Sequence, residues 1–261
     1  MEPHVVSTLG RPGGALEGKP TSRWALELIV LIAGILGAFA LDSWWESRAE
    51  AQQMVLELRA VSEAFEGDKQ QLEFMIDTHR RVVAGLGEIL AMQAAAASAG
   101  RDRVTVPDSL LFTVLLTPTF DPSLGALRVL IDSGRFALIQ DRDLRQSLAG
   151  WQERLLDANE YQERNIRFGT DDVWPRILYD ARHEEASGLL EVAGAYWDAF
   201  WSGVGRDAPL PSGTYELFTQ DDYRTVIMIK RGTSREWLRE WEPLALEMDR
   251  VIERIAAELQ R

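Results

Sequence analysis

The chain has 261 residues, with 28 Lys plus Arg against 41 Asp plus Glu for a net charge of −13, three His and no Cys. The length suits one or two domains, and a hydrophobic share of 46% suits a chain with a buried core. The missing cysteines exclude a disulfide framework, a thiolate zinc site, an iron–sulfur cluster and a cysteine nucleophile, and the acidic balance argues against nucleic acid as a partner, because its binders need a basic surface to displace counterions.

Residues 1–22 hold four Gly and three Pro among small polar residues, with no apolar period, which predicts a disordered tail. The segment 23–45 decides the class. Residues 28–41 carry no charge, and Trp24 to Trp44 is 20 steps, about 30 Å of helix and so about the thickness of a hydrocarbon core. Trp24 flanks one end and Trp44 with Trp45 the other, as interfacial aromatics do. Glu27 lies one turn inside the first boundary, where its carboxylate reaches headgroups and the positive end of the helix. Ala33 with Gly37, and Gly34 with Ala38, are small-xxx-small pairs through which two such helices pack closely. Two other readings compete with a retained single-pass anchor: a buried core helix, and a signal peptide cleaved after Ala38-Phe39-Ala40. Arg11, Lys19 and Arg23 precede the span, whereas residues 42–60 hold two Arg among four acids. The basic excess predicts a cytoplasmic N-terminus, a cell inner membrane location and a periplasmic C-terminal part.

Residues 46–261 read as helical. The stretch 43–98 has no Pro, and Leu58, Val61, Phe65, Leu72, Met75, Val82, Leu86 and Leu90 mark a helix face. Asp68 and Lys69 interrupt that face beside Gly67, which predicts bending there. No linker is expected between Leu41 and Ala51. A polar loop is expected over 99–107, with Val104 and Val106 the only strand-like alternation, then a short helix from Ser109 to Leu116. Asp121-Pro122 is expected to open another short helix that Gly134 ends. Asp141 should cap a long helix with Leu144, Leu148, Trp151, Leu155, Ile166, Val173 and Ile177 on one face. Residues 182–213 are expected to form a loop with a short helix near Tyr196 to Trp201. Thr219 and Asp222 suggest a capping box for the last helix. Its face is Trp237, Trp241, Leu244, Met248, Val251, Ile255 and Leu259, with Gly232 and Pro243 as weak points. Helices with apolar faces must bury them on one another, so the expected fold is all-α: an N-terminal transmembrane helix followed by a four-helix-bundle-like extracytoplasmic domain.

Chemistry is sparse. There is no G-x-S-x-G, P-loop, G-x-G-x-x-G or H-E-x-x-H spacing. Asp180 with His183 is a single Asp-x-x-His, read as a surface arrangement rather than a metal site. His79 falls on the apolar face of the first long helix, either as a core histidine with a bonded ring nitrogen or as a pH-sensitive or pocket residue. Lys230, Arg231, Arg235 and Arg239 form a basic run, read as a solvated helix face beside Glu236 and Glu240, or as a site for anionic headgroups or an acidic partner.

The anchor, with Glu27, Gly34-Ile35-Leu36-Gly37-Ala38 and Asp42-Ser43-Trp44-Trp45-Glu46-Ser47-Arg48, resembles that of an uncharacterised bacterial family, a domain of unknown function, of single-pass membrane-anchored helical proteins. Phe120, Pro122, Gly125, Ala126, Leu130, Ser133, Gly134, Leu138, Ile139, Leu144 and Arg145 form a second similar stretch, and the placement of the final helix, ending Ile255-Ala256-Ala257-Glu258-Leu259, is similar too. The second Trp, Trp45, departs from the family's pattern. The resemblance implies an anchor and a helical domain, with no activity and no catalytic residues to transfer. The function expected from all this is a membrane-tethered interaction, sensing or scaffold module without catalysis, cofactor or metal. Its expected partners are the lipid bilayer, a second copy through the anchor and an envelope protein. The alternatives are a structural assembly partner, or an enzyme using carboxylates with His79 or His183 in a pocket.

Overall fold

A computed structural model of the protein describes residues 21–179 and 213–261. The expected aromatic helix near Tyr196 to Trp201, and Asp180 with His183, lie outside the described residues. The protein is mostly helical. It divides into two compact units, residues 1–51 and 52–261, and helix α1 (Thr21–Ser98) contributes to both. α1 has no break at Gly67 or between Leu41 and Ala51.

In the second unit the expected face of α1 is the buried one. Leu58, Val61, Phe65, Leu72, Met75, Val82 and Leu86 are buried, and Leu90 packs beside them. Asp68 does not interrupt this face: it is itself buried, and its carboxylate accepts the Ser123 N–H at 2.9 and 3.0 Å. That bond secures an otherwise unpaired donor of the loop that crosses α1. Gly100, at φ +71°, ends the helix by letting Arg101 N–H reach back to the Ala96 carbonyl at 3.0 Å.

The polar loop expected over 99–107 is instead partly a strand. β1 (Arg103–Pro107) pairs antiparallel with β2 (Thr214–Phe218), placing Val104 opposite Leu217 and Val106 opposite Tyr215. These four side chains are buried on one face and their neighbours along each strand point outward, the period of a half-buried ribbon. The valine alternation was therefore a real strand signal, and its partner lies more than a hundred residues away.

Helix α2 (Asp108–Leu115) follows directly, as expected. The next helix, α3 (Gly125–Asp132), starts later than Asp121-Pro122, because the intervening backbone is held open by the Asp68 bond to Ser123. Gly134, at φ +76°, closes α3 and leads into a 3-10 turn (Arg135–Leu138). Asp141 caps α4 (Arg142–Ala149) by accepting from Asp143 N–H and Leu144 N–H at 2.9 and 3.0 Å. The single long helix expected beyond it is divided. Gly150, at φ −85° and ψ −2°, separates α4 from α5 (Trp151–Phe168). A π-helical turn (Gly169–Val173) then joins α5 to α6 (Trp174–Tyr179), which accommodates Pro175 in its first turn.

Helix α7 (Asp221–Glu258) runs unbroken through both Gly232 and Pro243. Its start is not a capping box: the Thr219 hydroxyl donates to the Arg101 carbonyl at 2.8 Å, tying the strand end to α1's exit, and the Asp222 carboxylate accepts from Tyr223 N–H. The expected stripe from Trp237 to Ile255 is buried, with Leu259 packed at its end.

Two apolar clusters result. One joins Leu58–Ile76 of α1 to α3, α4, Trp151–Ala158 of α5 and Trp237–Ile255 of α7. The other joins Val82–Ala96 of α1 to both strands, α2, Val173 and Val226–Ile227 of α7. Among the described residues, Trp151, Trp237 and Trp241 are the largest side chains fully buried, each worth ~2–3 kcal/mol or more of transfer free energy before entropy is subtracted.

Candidate functional site

The two units offer two distinct places where function can reside. In the first unit every described side chain from Trp24 to Glu50 is exposed. The helix contains an 18-residue window of mean hydropathy 2.0, none of it buried, so it is long and apolar enough to cross a membrane. Trp24 is 74% exposed. Glu27, Ala33, Gly34, Gly37 and Ala38 are also on the surface, and a Cβ added at Gly34 or Gly37 would meet nothing within 4 Å. Trp44 and Trp45 pack edge to face with centroids 5.2 Å apart, and the Arg48 guanidinium lies 5.8 Å from the Trp44 ring. An aromatic pair with a neighbouring cation suits an interface that is apolar on one side and wet on the other.

The second place is polar and largely buried, with His79, Lys230 and Asn165 buried and Thr117 half-buried, and it lies at the seam between the two apolar clusters. On α1, His79 falls between Ile76 of one cluster and Val82 of the other. On α7, Lys230 falls between Ile227 and Trp237; on α5 and the π turn, Asn165 falls between Ala158 and Val173; and Thr117 falls between Leu116 and Phe120. Four elements thus place a polar residue at the same level of the domain.

Lys230 is fully buried. Its Nζ donates to Thr117 Oγ1 at 2.7 Å and Asn165 Oδ1 at 3.1 Å, and among the described residues it has no carboxylate partner. The Thr233 hydroxyl also donates to Asn165 Oδ1, at 3.0 Å. Two neutral oxygens do not compensate an ammonium removed from water, so burial pushes the Lys230 amine down to about 7. Gly169, the first residue of the π turn, presses against this group: a Cβ there would stand 2.8 Å from Thr117 Oγ1 and 3.3 Å from Lys230 Nζ. The basic run of the sequence is therefore not one solvated face. Lys230 points inward, Arg231 donates to the Val83 carbonyl at 3.2 Å, and only Arg235 and Arg239 are exposed.

His79 is fully buried and stacks on Trp237, with ring centroids 4.0 Å apart. Its Nε2 lies 3.2 Å from the Pro118 carbonyl, which can only accept, so Nε2 carries the proton and Nδ1 presents a lone pair. Burial first, and then the nearby Lys230 charge, pull its imidazole down to about 3 against the opposing Pro118 bond. The ring is accordingly neutral throughout the physiological range. His79 Nδ1, Asn165 Nδ2, Ser234 Oγ, Trp237 Nε1 and Trp241 Nε1 are all buried without a hydrogen-bond partner. Each of these unsatisfied groups, at the seam and along the adjoining face of α7, costs stability.

Sequence reasoning found His79, placed Lys230 on a solvated face and missed Asn165. A signal existed: stepping back along α7 from Trp241 by four, three and four reaches Trp237, Ser234 and Lys230, all buried. The rule that lysines face water overrode that period.

No group of three His, Asp or Glu residues is placed to hold a metal ion among the described residues. No family model matches the chain, and no curated protein or solved structure matches it either.

The contacts of two glycines inside helical segments of the second unit, Gly169 and Gly67, give a paired expectation. Gly169→Ala should destabilise the protein by ~1–3 kcal/mol, because the new methyl forces apart the tightest point of the seam. Gly67→Ala, in a helix with nothing within 4 Å, should stabilise it by ~0.5–1 kcal/mol. Chemical denaturation of the two variants beside wild type measures both.

Proposed function

We propose that this protein is a membrane-tethered helical module of the bacterial envelope that senses or binds there and catalyses nothing. Residues 23–45 cross the inner membrane once, the N-terminal tail lies in the cytoplasm, and a bundle-like domain formed by 46–261 lies in the periplasm. The observation that carries this reading is the apolar stretch of α1, whose most hydropathic window has a mean hydropathy of 2.0 and is entirely unburied. A core helix of a water-soluble protein hides such a face, and leaving about twenty apolar residues in water is costly at ~25 cal/mol per Å². The absence of catalytic spacings, and a buried rather than cleft-bound histidine, favour a binding or sensing role over the enzyme alternative. Lipid is the first partner, an envelope protein the second, and a second copy of the anchor packed through Ala33, Gly34, Gly37 and Ala38 a third.

Fractionation of cells expressing the full chain with a C-terminal epitope tests the tether. The expected result is full length in a carbonate-resistant membrane fraction, with the C-terminus digested only after the outer membrane is opened. Recovery in the soluble fraction, or an N-terminus beginning at Leu41, would overturn the tether.

A further inference from the structure

We propose that Lys230 is a proton-operated latch: uptake of a proton by its buried amine loosens the packing of the π turn and the C-terminal half of α5 on α7, at the seam between the two halves of the core. This deepens the sensing role proposed above by naming the proton as the input, and it rests on that reading only for its location in the envelope.

The argument is geometric. A neutral lysine amine presents two protons and a lone pair, whereas an ammonium presents three protons that all need acceptors. Lys230 has two acceptors, Thr117 Oγ1 and Asn165 Oδ1, and both are neutral. The neutral amine fits that cage, and the ammonium leaves one proton unmet in an apolar surround. The response must then fall on the least restrained wall. Leu116–Phe120 is fixed from both sides, because Phe120 N–H donates to Gln162 Oε1 at 2.8 Å and the Pro118 carbonyl holds His79. α7 is a continuous helix with its apolar stripe buried on either side of Lys230. The remaining wall is the π turn, where Gly169 has the closest approach and the helical hydrogen-bond pattern is already altered. π turns are rare within helices and recur at functional positions.

The other charged groups around the centre leave Lys230 in control. On α1 the facing ionisable group is His79, and the two cannot both carry charge in one apolar seam. The segment 116–120 has no ionisable side chain. On α5 and the π turn, Arg164 pairs with Glu236 of α7 at 3.6 Å, while Arg167, Asp171 and Asp172 are exposed. On α7, Arg231 is committed to the Val83 carbonyl and Arg235 is exposed. Among the described residues no carboxylate is therefore in place to hold a protonated Lys230 in the closed arrangement.

The test is amide hydrogen exchange, followed by mass spectrometry, on the full-length protein in lipid nanodiscs between pH 8.5 and 6, corrected for the intrinsic pH dependence of exchange. With the amine titrating at about 7 when closed and near 10.5 when opened to water, the opening equilibrium of peptides covering 162–174 should rise about thirtyfold over that range. In Lys230→Met the same peptides should stay protected and lose the pH dependence, and in Lys230→Arg, which cannot shed its charge, they should be open at both ends of the range. His79→Phe should retain the wild-type slope above pH 7, because its imidazole is already neutral there. A flat wild-type profile, or an unchanged slope in Lys230→Met, would overturn the latch. If Lys230→Met fails to fold by far-ultraviolet circular dichroism, the wild-type and His79→Phe slopes still decide. A soluble, unanchored protein with the expected exchange slope would sink the tether and keep the latch, and the converse result would do the opposite.

Discussion

The unfolding free energy of the protein should fall in two separate steps as the pH is lowered from 10.5 to 3, each worth up to ~5 kcal/mol. The upper step belongs to Lys230. Its amine titrates near 10.5 in the unfolded chain and at about 7 in the folded one. Between those values the unfolded state binds a proton that the folded state does not, so stability rises with pH at ~1.4 kcal/mol per unit. The full contribution is present above 10.5, is lost on the way down to about 7, and does not change below that. The lower step belongs to His79, whose imidazole is held at about 3 against 6.5 unfolded. The sign is the same: stability is intact above 6.5 and drains away as the unfolded chain alone takes up the proton.

Two variants separate the steps. Lys230→Met should abolish the upper slope and make the protein more stable than wild type at pH 7, by less than the full step because Thr117 Oγ1 and Asn165 Oδ1 lose a donor at ~1–3 kcal/mol. His79→Phe should keep the Trp237 stack and remove the lower slope. The lower slope is read between pH 6.5 and 5. Below that, Glu57 and Asp141 join in: hydrogen bonds from Arg135 and from Leu144 N–H respectively hold their carboxyls below the usual range, so their stabilisation is lost as pH falls further. Urea denaturation of the three proteins at half-unit pH intervals measures all of this. A wild-type profile level from pH 9 to 7 would show that Lys230 keeps its charge in the folded protein.

The same residues show what a single sequence reveals and what it hides. The α7 stripe was legible from Trp237 onward because apolar side chains at steps of four and three leave one face to bury. Asp141 was legible because a cap needs only local chemistry, and Gly134 because few other residues accept its positive φ. β2 was not legible: five residues whose partner strand lies across more than a hundred positions carry no local mark of that pairing, and only the buried Tyr215 and Leu217 hint at it. Asn165 was missed for a different reason. The α5 face runs Leu148, Trp151, Leu155, Ala158, Gln162, Asn165, Gly169 and Val173, all buried, with regular steps of three and four. Ile166, one position off, drew the reading away because it is apolar, yet it is only half-buried. In both helices the pattern was kept while the residue type at the seam changed from apolar to polar. A break in residue type with the period intact is the signature of a buried polar layer, and such layers specify one arrangement of a core at some cost in stability.

The largest effect of all should come from two arginines in the anchor. The double variant Leu31→Arg with Leu36→Arg places a cation three residues before and two residues after Gly34, the midpoint between Trp24 and Trp44. Each arginine near the middle of a bilayer disfavours insertion by ~2.5–3.5 kcal/mol, and each lost leucine removes ~0.5 kcal/mol more, so the pair amounts to ~6–8 kcal/mol, or about 10⁴ to 10⁶ in partitioning. The five-residue spacing puts the two side chains about 140° apart around the helix. One packed partner therefore cannot shield both, and both cannot snorkel along the same side. The expected outcome is loss of the protein from the carbonate-resistant membrane fraction. Trp24→Arg, at the boundary where the side chain reaches headgroups, should leave that fraction nearly unchanged. The second unit provides the internal control, since its core contains no residue before Leu58 and only Met54 packs against it from nearer the span. The protease-resistant fragment that the second unit leaves in wild type should thus survive in both variants. If the double variant stayed in the membrane as firmly as wild type, with the fragment intact, the exposed apolar face of α1 would have to be covered by protein rather than lipid, and an envelope partner or a second copy seated on residues 24–45 would take the place of the bilayer.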